Sequence, residues 1–146
     1  MKKELAVKVN GYLANVAVSY VKLHNLHWNV VGPQFKSVHE YIETLYDGFA
    51  DVLDAVAEVL KMQGEVPLSR MSDYLAVASI KEIEPKDYSV EESLSIVLAD
   101  MEEMKAQAEA IRLAADEEDN YPVVNMMEDD LENYNKTIWF LRSMLK

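Results

Sequence analysis

Cysteine is absent from the 146 residues, so neither a disulfide nor a thiolate-held metal is open to this chain. Glycine and proline number four each while 50% of residues are hydrophobic, which excludes a disordered polar chain and a fold built of many tight turns. No apolar run approaches the roughly 20 residues that cross a bilayer. The charged start Met1-Lys-Lys-Glu4 leads into an amphipathic stretch with neither the apolar centre nor the cleavage site of a signal peptide. The expectation is one soluble, intracellular domain over 1–146, long enough to bury a core without staples. Basic residues are the minority: 14 Lys and Arg against 26 Asp and Glu give a formal charge of −12. Such a surface repels phosphate backbones and attracts cations, which disfavours direct DNA binding. Lys2, Lys3 and Lys8 read as a solvated N-terminal end, not as a basic tail.

What is present is concentrated. All three histidines, His24, His27 and His39, fall within sixteen residues. His27, His39, Glu43, Asp54 and Glu58 form the pattern H-x11-H-x3-E-x10-D-x3-E. Imidazole nitrogens combined with carboxylate oxygens suit iron, manganese or zinc.

Hydrophobic spacing places these residues on helices. Leu5, Val9, Tyr12, Val16, Tyr20, Leu23 and His27 recur in steps of three and four, and Gly32-Pro33 then breaks the chain. A second helix is predicted from Gln34 to Gln63, with Phe35, Val38, Ile42, Leu45, Phe49, Val52, Val56 and Val59 as its stripe and Gly64 as its stop. A long crossover follows, with a short helix at Ser72 to Ile80. Ser89 and Glu92 fit a capping box opening a third helix that fades at Asp116 to Asp119. A fourth begins near Asn120 and Pro122 and runs to the chain end through Met127, Leu131, Tyr134, Ile138, Leu141 and Leu145. The methionine and aromatic stripes read as core. Four long helices with one long crossover indicate an all-α, ferritin-like four-helix bundle.

At about 100° per residue, His39, Glu43, Asp54 and Glu58 project near 0°, 40°, 60° and 100°, one face of the second helix. Glu43 and Asp54 nevertheless stand about 16 Å apart along the axis at about 1.5 Å per residue. Metal bonds of about 2 Å cannot close that gap. Two antiparallel copies about a two-fold axis can: His39 and Glu43 of one copy face Asp54 and Glu58 of the other, and His27 swings in across the Gly32-Pro33 connection. Each dimer then holds two equivalent sites. The Glu-x-x-His pairs of an intrasubunit di-iron bundle are missing from the chain.

His27-Trp-Asn-Val-Val-Gly-Pro-Gln-Phe35, His39-x3-Glu43, Tyr46-Asp47, Asp54-x3-Glu58 and the closing Ile138-Trp-Phe140 resemble the Dps family, the mini-ferritins named as DNA-binding proteins from starved cells. The resemblance extends over nearly the whole chain. It implies a hollow dodecamer of bacterial cytoplasm, with ferroxidase centres at the two-fold interfaces and ferric mineral stored inside. Iron(II) is the substrate and hydrogen peroxide the oxidant preferred by many members over O2; zinc can occupy the same ligands. Carried over by residue, His27, His39 and Glu43 come from one subunit and Asp54 and Glu58 from its mate. Asp54, Glu58 and His27 hold the firmer iron, and His39 with Glu43 helps bind the second. The family more often has aspartate where this chain has Glu43, which changes reach at the second iron.

Lesser candidates carry two readings each. His24 supports the ligands or packs; Trp28 intercepts stray oxidising equivalents, as the resemblance implies, or packs at an interface. Asp47 and Asp51 assist or are solvated. By resemblance, Asp116 to Asp119 and Glu128 to Asp130 line three-fold pores that admit iron(II), with Asn125 replacing an acid of some relatives; the bland reading is a solvated loop. Beside the ferroxidase, a DNA-compacting protein and a non-enzymatic metal-binding cage remain as alternative functions.

Overall fold

A computed structural model describes all residues from Met1 to Lys146. Helix α1 (Lys3–Asn29) runs into a two-residue strand β1 (Val30–Val31), and α2 (Phe35–Met62) returns antiparallel beside it. The crossover contains α3 (Met71–Val77) and ends in strand β2 (Tyr88–Ser89); α4 (Val90–Glu117) and α5 (Tyr121–Met144) complete the bundle. Helices α1 and α2 pack as one pair and α4 and α5 as another, with α1 laid against α4 and carrying α3 on its outer side.

The burial pattern explains this arrangement. Helix α2 buries a single stripe, Val38, Ile42, Phe49, Val56, Val59 and Leu60, as a helix with one apolar face must. Helix α1 is buried on several sides, Leu5, Val9, Tyr12, Leu13, Val16, Val18 and Leu26 among them, because it touches α2, α4 and the crossover. Met101, Met104 and Met127 are fully buried, so the methionines are core. A short ion pair, Lys22 Nζ to Asp100 Oδ2 at 2.7 Å, fixes α1 against α4.

The caps match the expected boundaries. Glu92 N–H donates to Ser89 Oγ at 3.1 Å and Ser89 N–H to Glu92 Oε2 at 3.0 Å, the reciprocal capping box. Gly64, at φ +82°, ends α2 in the left-handed conformation that favours glycine.

Three features depart from the sequence reading. The short crossover helix stops at Val77, not Ile80, because the N–H groups of Ser79 and Ile80 donate to Asn15 Oδ1 at 2.8 and 3.0 Å. Asn10 and Asn25 likewise hold the backbone at Leu68 and Ile83, so three α1 asparagines satisfy a crossover with few regular partners of its own. The parallel pairing of Val30 with Tyr88 and Val31 with Ser89 is an addition to the all-α reading, and it ties the α1 end to the α4 start. Phe35, placed in the apolar stripe, is 39% exposed and leaves the core to lie against His39.

Candidate metal centre

The last turn of α1 presents His24, His27 and Trp28, and the chain must reverse at once for α2 to meet them. Gly32 makes the reversal at φ +130°, a conformation strained for any residue with a Cβ, and Phe35 N–H closes the turn onto the Gly32 carbonyl at 3.0 Å. This brings His39, on the first turns of α2, against His27.

The two imidazoles are then fixed reciprocally. His27 Nδ1 lies 2.7 Å from the His39 carbonyl oxygen and His39 Nδ1 2.6 Å from the His27 carbonyl oxygen. A carbonyl only accepts, so each Nδ1 carries the hydrogen, and Nε2 is the nitrogen through which each ring would meet a metal. The bond also satisfies a carbonyl at the end of α1 that has no helical partner. The rings stack at 3.6 Å between centroids and 12° between planes, Phe35 stacks on His39, and Tyr46 stands edge-on to His27. His27 is buried to 5% exposure, whereas His39 is partly open.

Glu43 completes this corner. Its Oε1 is 3.9 Å from His27 Nε2, and Tyr46 Oη donates to the same oxygen at 3.2 Å. His24 stacks on Tyr46 at 3.7 Å and donates from Nδ1 to the Tyr20 carbonyl at 2.7 Å, so its place in the structure is to seat Tyr46. Asp54 and Glu58 are exposed on the same helix three to four turns further on. One chain thus gathers His27, His39 and Glu43 and leaves the other two carboxylates apart; no three His, Asp or Glu side chains of a single chain converge closely enough to enclose a metal ion.

The ferritin-like domain family matches residues 7–146. The DNA protection during starvation protein of Brevibacillus brevis is 35% identical over 142 residues, 97% of this chain and 95% of that one. The chain belongs to the Dps family of ferritin-like proteins. The crystal structure of antigen TpF1 from Treponema pallidum superposes on this Dps chain with a TM-score of 0.96 at 30% identity, covering 98% of this chain and 92% of that one. A Vibrio cholerae Dps structure, described as a member of a broad superfamily of ferritin-like diiron-carboxylate proteins, gives 0.94 at 27% identity, covering 99% and 90%.

The acidic region of this Dps chain divides differently from the sequence reading. Glu128 and Asp116 both meet Arg112, at 2.9 and 3.6 Å, so part of the negative charge there is neutralised within the chain. Asp130 is turned into the bundle. It is 8% exposed, and its Oδ2 accepts from Tyr12 Oη at 2.7 Å in the bundle interior, so its carboxylate is engaged in the core and not in a solvated loop. Asn125 and Asp129 remain exposed. Burial, against the Tyr12 hydrogen bond and with the help of neighbouring Asp129, pushes the Asp130 carboxyl up to about 6. The cluster of Tyr12, Asp130 and Tyr134 escaped the sequence reading because an aspartate on a buried helical stripe looks, by spacing, like the next acid of a charged run. The one sequence signal for the cluster is that Tyr12 and Tyr134 both fall on apolar stripes.

Proposed function

We propose that the protein is a ferroxidase and iron store: two iron(II) ions bind between His27, His39 and Glu43 of one subunit and Asp54 and Glu58 of a two-fold mate. The observation that carries this reading is the reciprocal His27/His39 bonding, which leaves the Nε2 atoms of two stacked rings unused by the backbone, that of His27 3.9 Å from Glu43, and short of ligands that the same chain cannot supply. Family membership supports the same reading.

The chemistry follows from pairing. Two iron(II) ions give one electron each to hydrogen peroxide; two protons are taken up, and the products are two iron(III) and two water. A lone iron(II) gives a single electron and releases hydroxyl radical. Carboxylates at the pair lower the charge cost of holding both cations and favour the ferric product. Stored ferric iron then accumulates inside a dodecamer, in a bacterial cytoplasm. No helix is long and apolar enough to cross a membrane. Zinc takes the same ligands and acts as a competitor. The −12 charge of each chain, multiplied through an assembly, opposes direct DNA contact.

The test is an anaerobic titration of iron(II)-loaded protein with hydrogen peroxide, comparing Asp54→Ala. One peroxide consumed per two irons, lost in the variant, is the expected result. Oxidation no faster than in buffer would remove the ferroxidase and leave a binding cage.

A further inference from the structure

A second chemically loaded cluster lies inside the bundle, fifteen residues of α1 or about 22 Å from His27 along the helix. The hydroxyl oxygens of Tyr12 on α1 and Tyr134 on α5 are 2.5 Å apart, and Tyr12 Oη is 2.7 Å from Asp130 Oδ2. A carboxylate only accepts, so the single Tyr12 hydrogen goes to Asp130 and Tyr134 donates to the Tyr12 oxygen. The order is Tyr134 to Tyr12 to Asp130, a directed chain of hydroxyls ending on a base. Tyr12 is fully buried and the other two are nearly so.

An apolar trio would fill this space without the cost of burying a carboxylate. The cluster also has access. A cavity of about 220 Å³ opens between α2 and α5 and is lined by Asp130 and Tyr134 together with Thr44, Gly48, Met101 and Asn133. The ring of Phe49 on α2 stands 6.4 Å from that of Tyr134.

We infer that Tyr12 is a redox-active tyrosine: a one-electron oxidant of the hydroxyl-radical class arriving in the α2/α5 cavity, which Asp130 and Tyr134 line and Tyr12 does not, draws one electron from Tyr12 across that lining, while the Tyr12 phenolic proton passes to Asp130. Atoms and charge balance: phenol, hydroxyl radical and carboxylate become phenoxyl radical, hydroxide and carboxylic acid. Electron loss alone would leave a cation in a low-dielectric core, a costly state. Transfer to Asp130 takes the cluster from one negative charge to none, and Tyr134 donates to the phenoxyl oxygen that forms. Burial raises both phenols and so keeps them protonated until oxidation. Raised to about 6, Asp130 is still ionised at neutral pH and is a stronger base than an ordinary carboxylate. One electron from a reductant, with the proton returning from Asp130, restores the resting state.

The test uses the full chain stripped of metal, so that its outcome is independent of the ferroxidase reading. The protein is oxidised by photoexcited ruthenium tris-bipyridine with persulfate, frozen, and examined by high-field electron paramagnetic resonance. The expected result is a neutral tyrosyl radical with the lowered g1 of a hydrogen-bonded phenoxyl, persisting after the radicals of exposed tyrosines have decayed. It is lost in Tyr12→Phe and in Asp130→Asn, and retained in Tyr134→Phe with g1 shifted upward. A wild-type spectrum containing only short-lived, solvent-exposed radicals overturns the assignment however the variants fold. So does a persistent signal unchanged by Tyr12→Phe in a variant with native circular dichroism.

Discussion

His27 and His39 each donate Nδ1–H to the other's backbone carbonyl, at 2.7 and 2.6 Å, so each ring is pinned to the other's helix and cannot turn without breaking that bond. The pairing spans the α1–α2 turn and fixes both tautomers by purely local means. An imidazole held in this way loses little freedom when it takes a metal, which is the use of a hydrogen-bonded second nitrogen in metal-ligating histidines.

The intersubunit reading makes a quantitative prediction. His27→Ala/Glu43→Gln and Asp54→Asn/Glu58→Gln should each be inactive in iron oxidation, since each damages both centres of a two-fold dimer. Co-assembled one to one, half the dimers are mixed, and each mixed dimer restores one of its two centres. Activity should therefore return to about one quarter of wild type. Stopped-flow absorbance of the ferric product measures it; no recovery in verified mixed assemblies would place the ligands within one subunit.

Asp130 predicts an unusual pH dependence of stability. Its folded value of about 6 exceeds the ordinary 3.8, so between these the folded chain keeps a proton that the unfolded chain has released. Stability contributed by this group is full below about 4, falls as pH rises, and levels off above about 6, at a cost on the order of 3 kcal/mol. Asp130→Asn lacks the titration. The difference in unfolding free energy between variant and wild type should thus grow in the variant's favour from pH 4 to pH 7, read from denaturant curves at each pH; a constant difference would show that Asp130 titrates normally.

Gly32→Ala should destabilise the chain and loosen the centre together. The added Cβ meets only Val90 Cγ2 at 3.6 Å, an ordinary contact, so the penalty is the φ of +130° itself. A cost of about 1–3 kcal/mol is expected, lowering Tm by roughly 2–4 °C per kcal/mol. Iron oxidation should fall more than stability explains, because the turn sets the register of His39 on His27. An unchanged Tm would mean that the turn relaxes freely.

Ser89→Ala removes one half of the capping box and should cost about 1 kcal/mol. Calorimetry on the isolated substitution checks this, and Ser89→Asp, which can still accept from Glu92 N–H, should recover most of the loss.

Electrophoretic retardation of duplex DNA should be absent at neutral pH without divalent cations and emerge only with magnesium or at low pH. A salt-sensitive complex formed at neutral pH in a chelator would contradict the charge argument.

Helix positions were legible because their signals are local: the three-and-four spacing of apolar residues, Gly32-Pro33, Gly64 and the Ser89/Glu92 box all act within a turn or two. The grouping of His27 with His39 was legible for the same reason, since a short reversal leaves few geometries. The asparagines that hold the crossover were not legible, because Asn15 meets Ser79 and Gln107 across more than sixty residues of sequence. Asp130 was misplaced for a related reason: its neighbours in sequence are exposed acids, but its partner in space is a tyrosine on another helix. The expectation of a partner subunit came from the axial gap of about 16 Å between Glu43 and Asp54 and from the resemblance, and an isolated chain does not display it.

All five candidate ligands lie between residues 27 and 58, on a single helical hairpin, and α4 and α5 supply none. On the proposed function, iron binding is therefore confined to the first half of the chain. The first hairpin, doubled about a two-fold axis, is a portable unit: it could be grafted onto other helical scaffolds that hold α1 and α2 at the same spacing. The second half can be redesigned for shape or charge, provided that it keeps the inner face against which α1 packs, Asp130 and Tyr134 included.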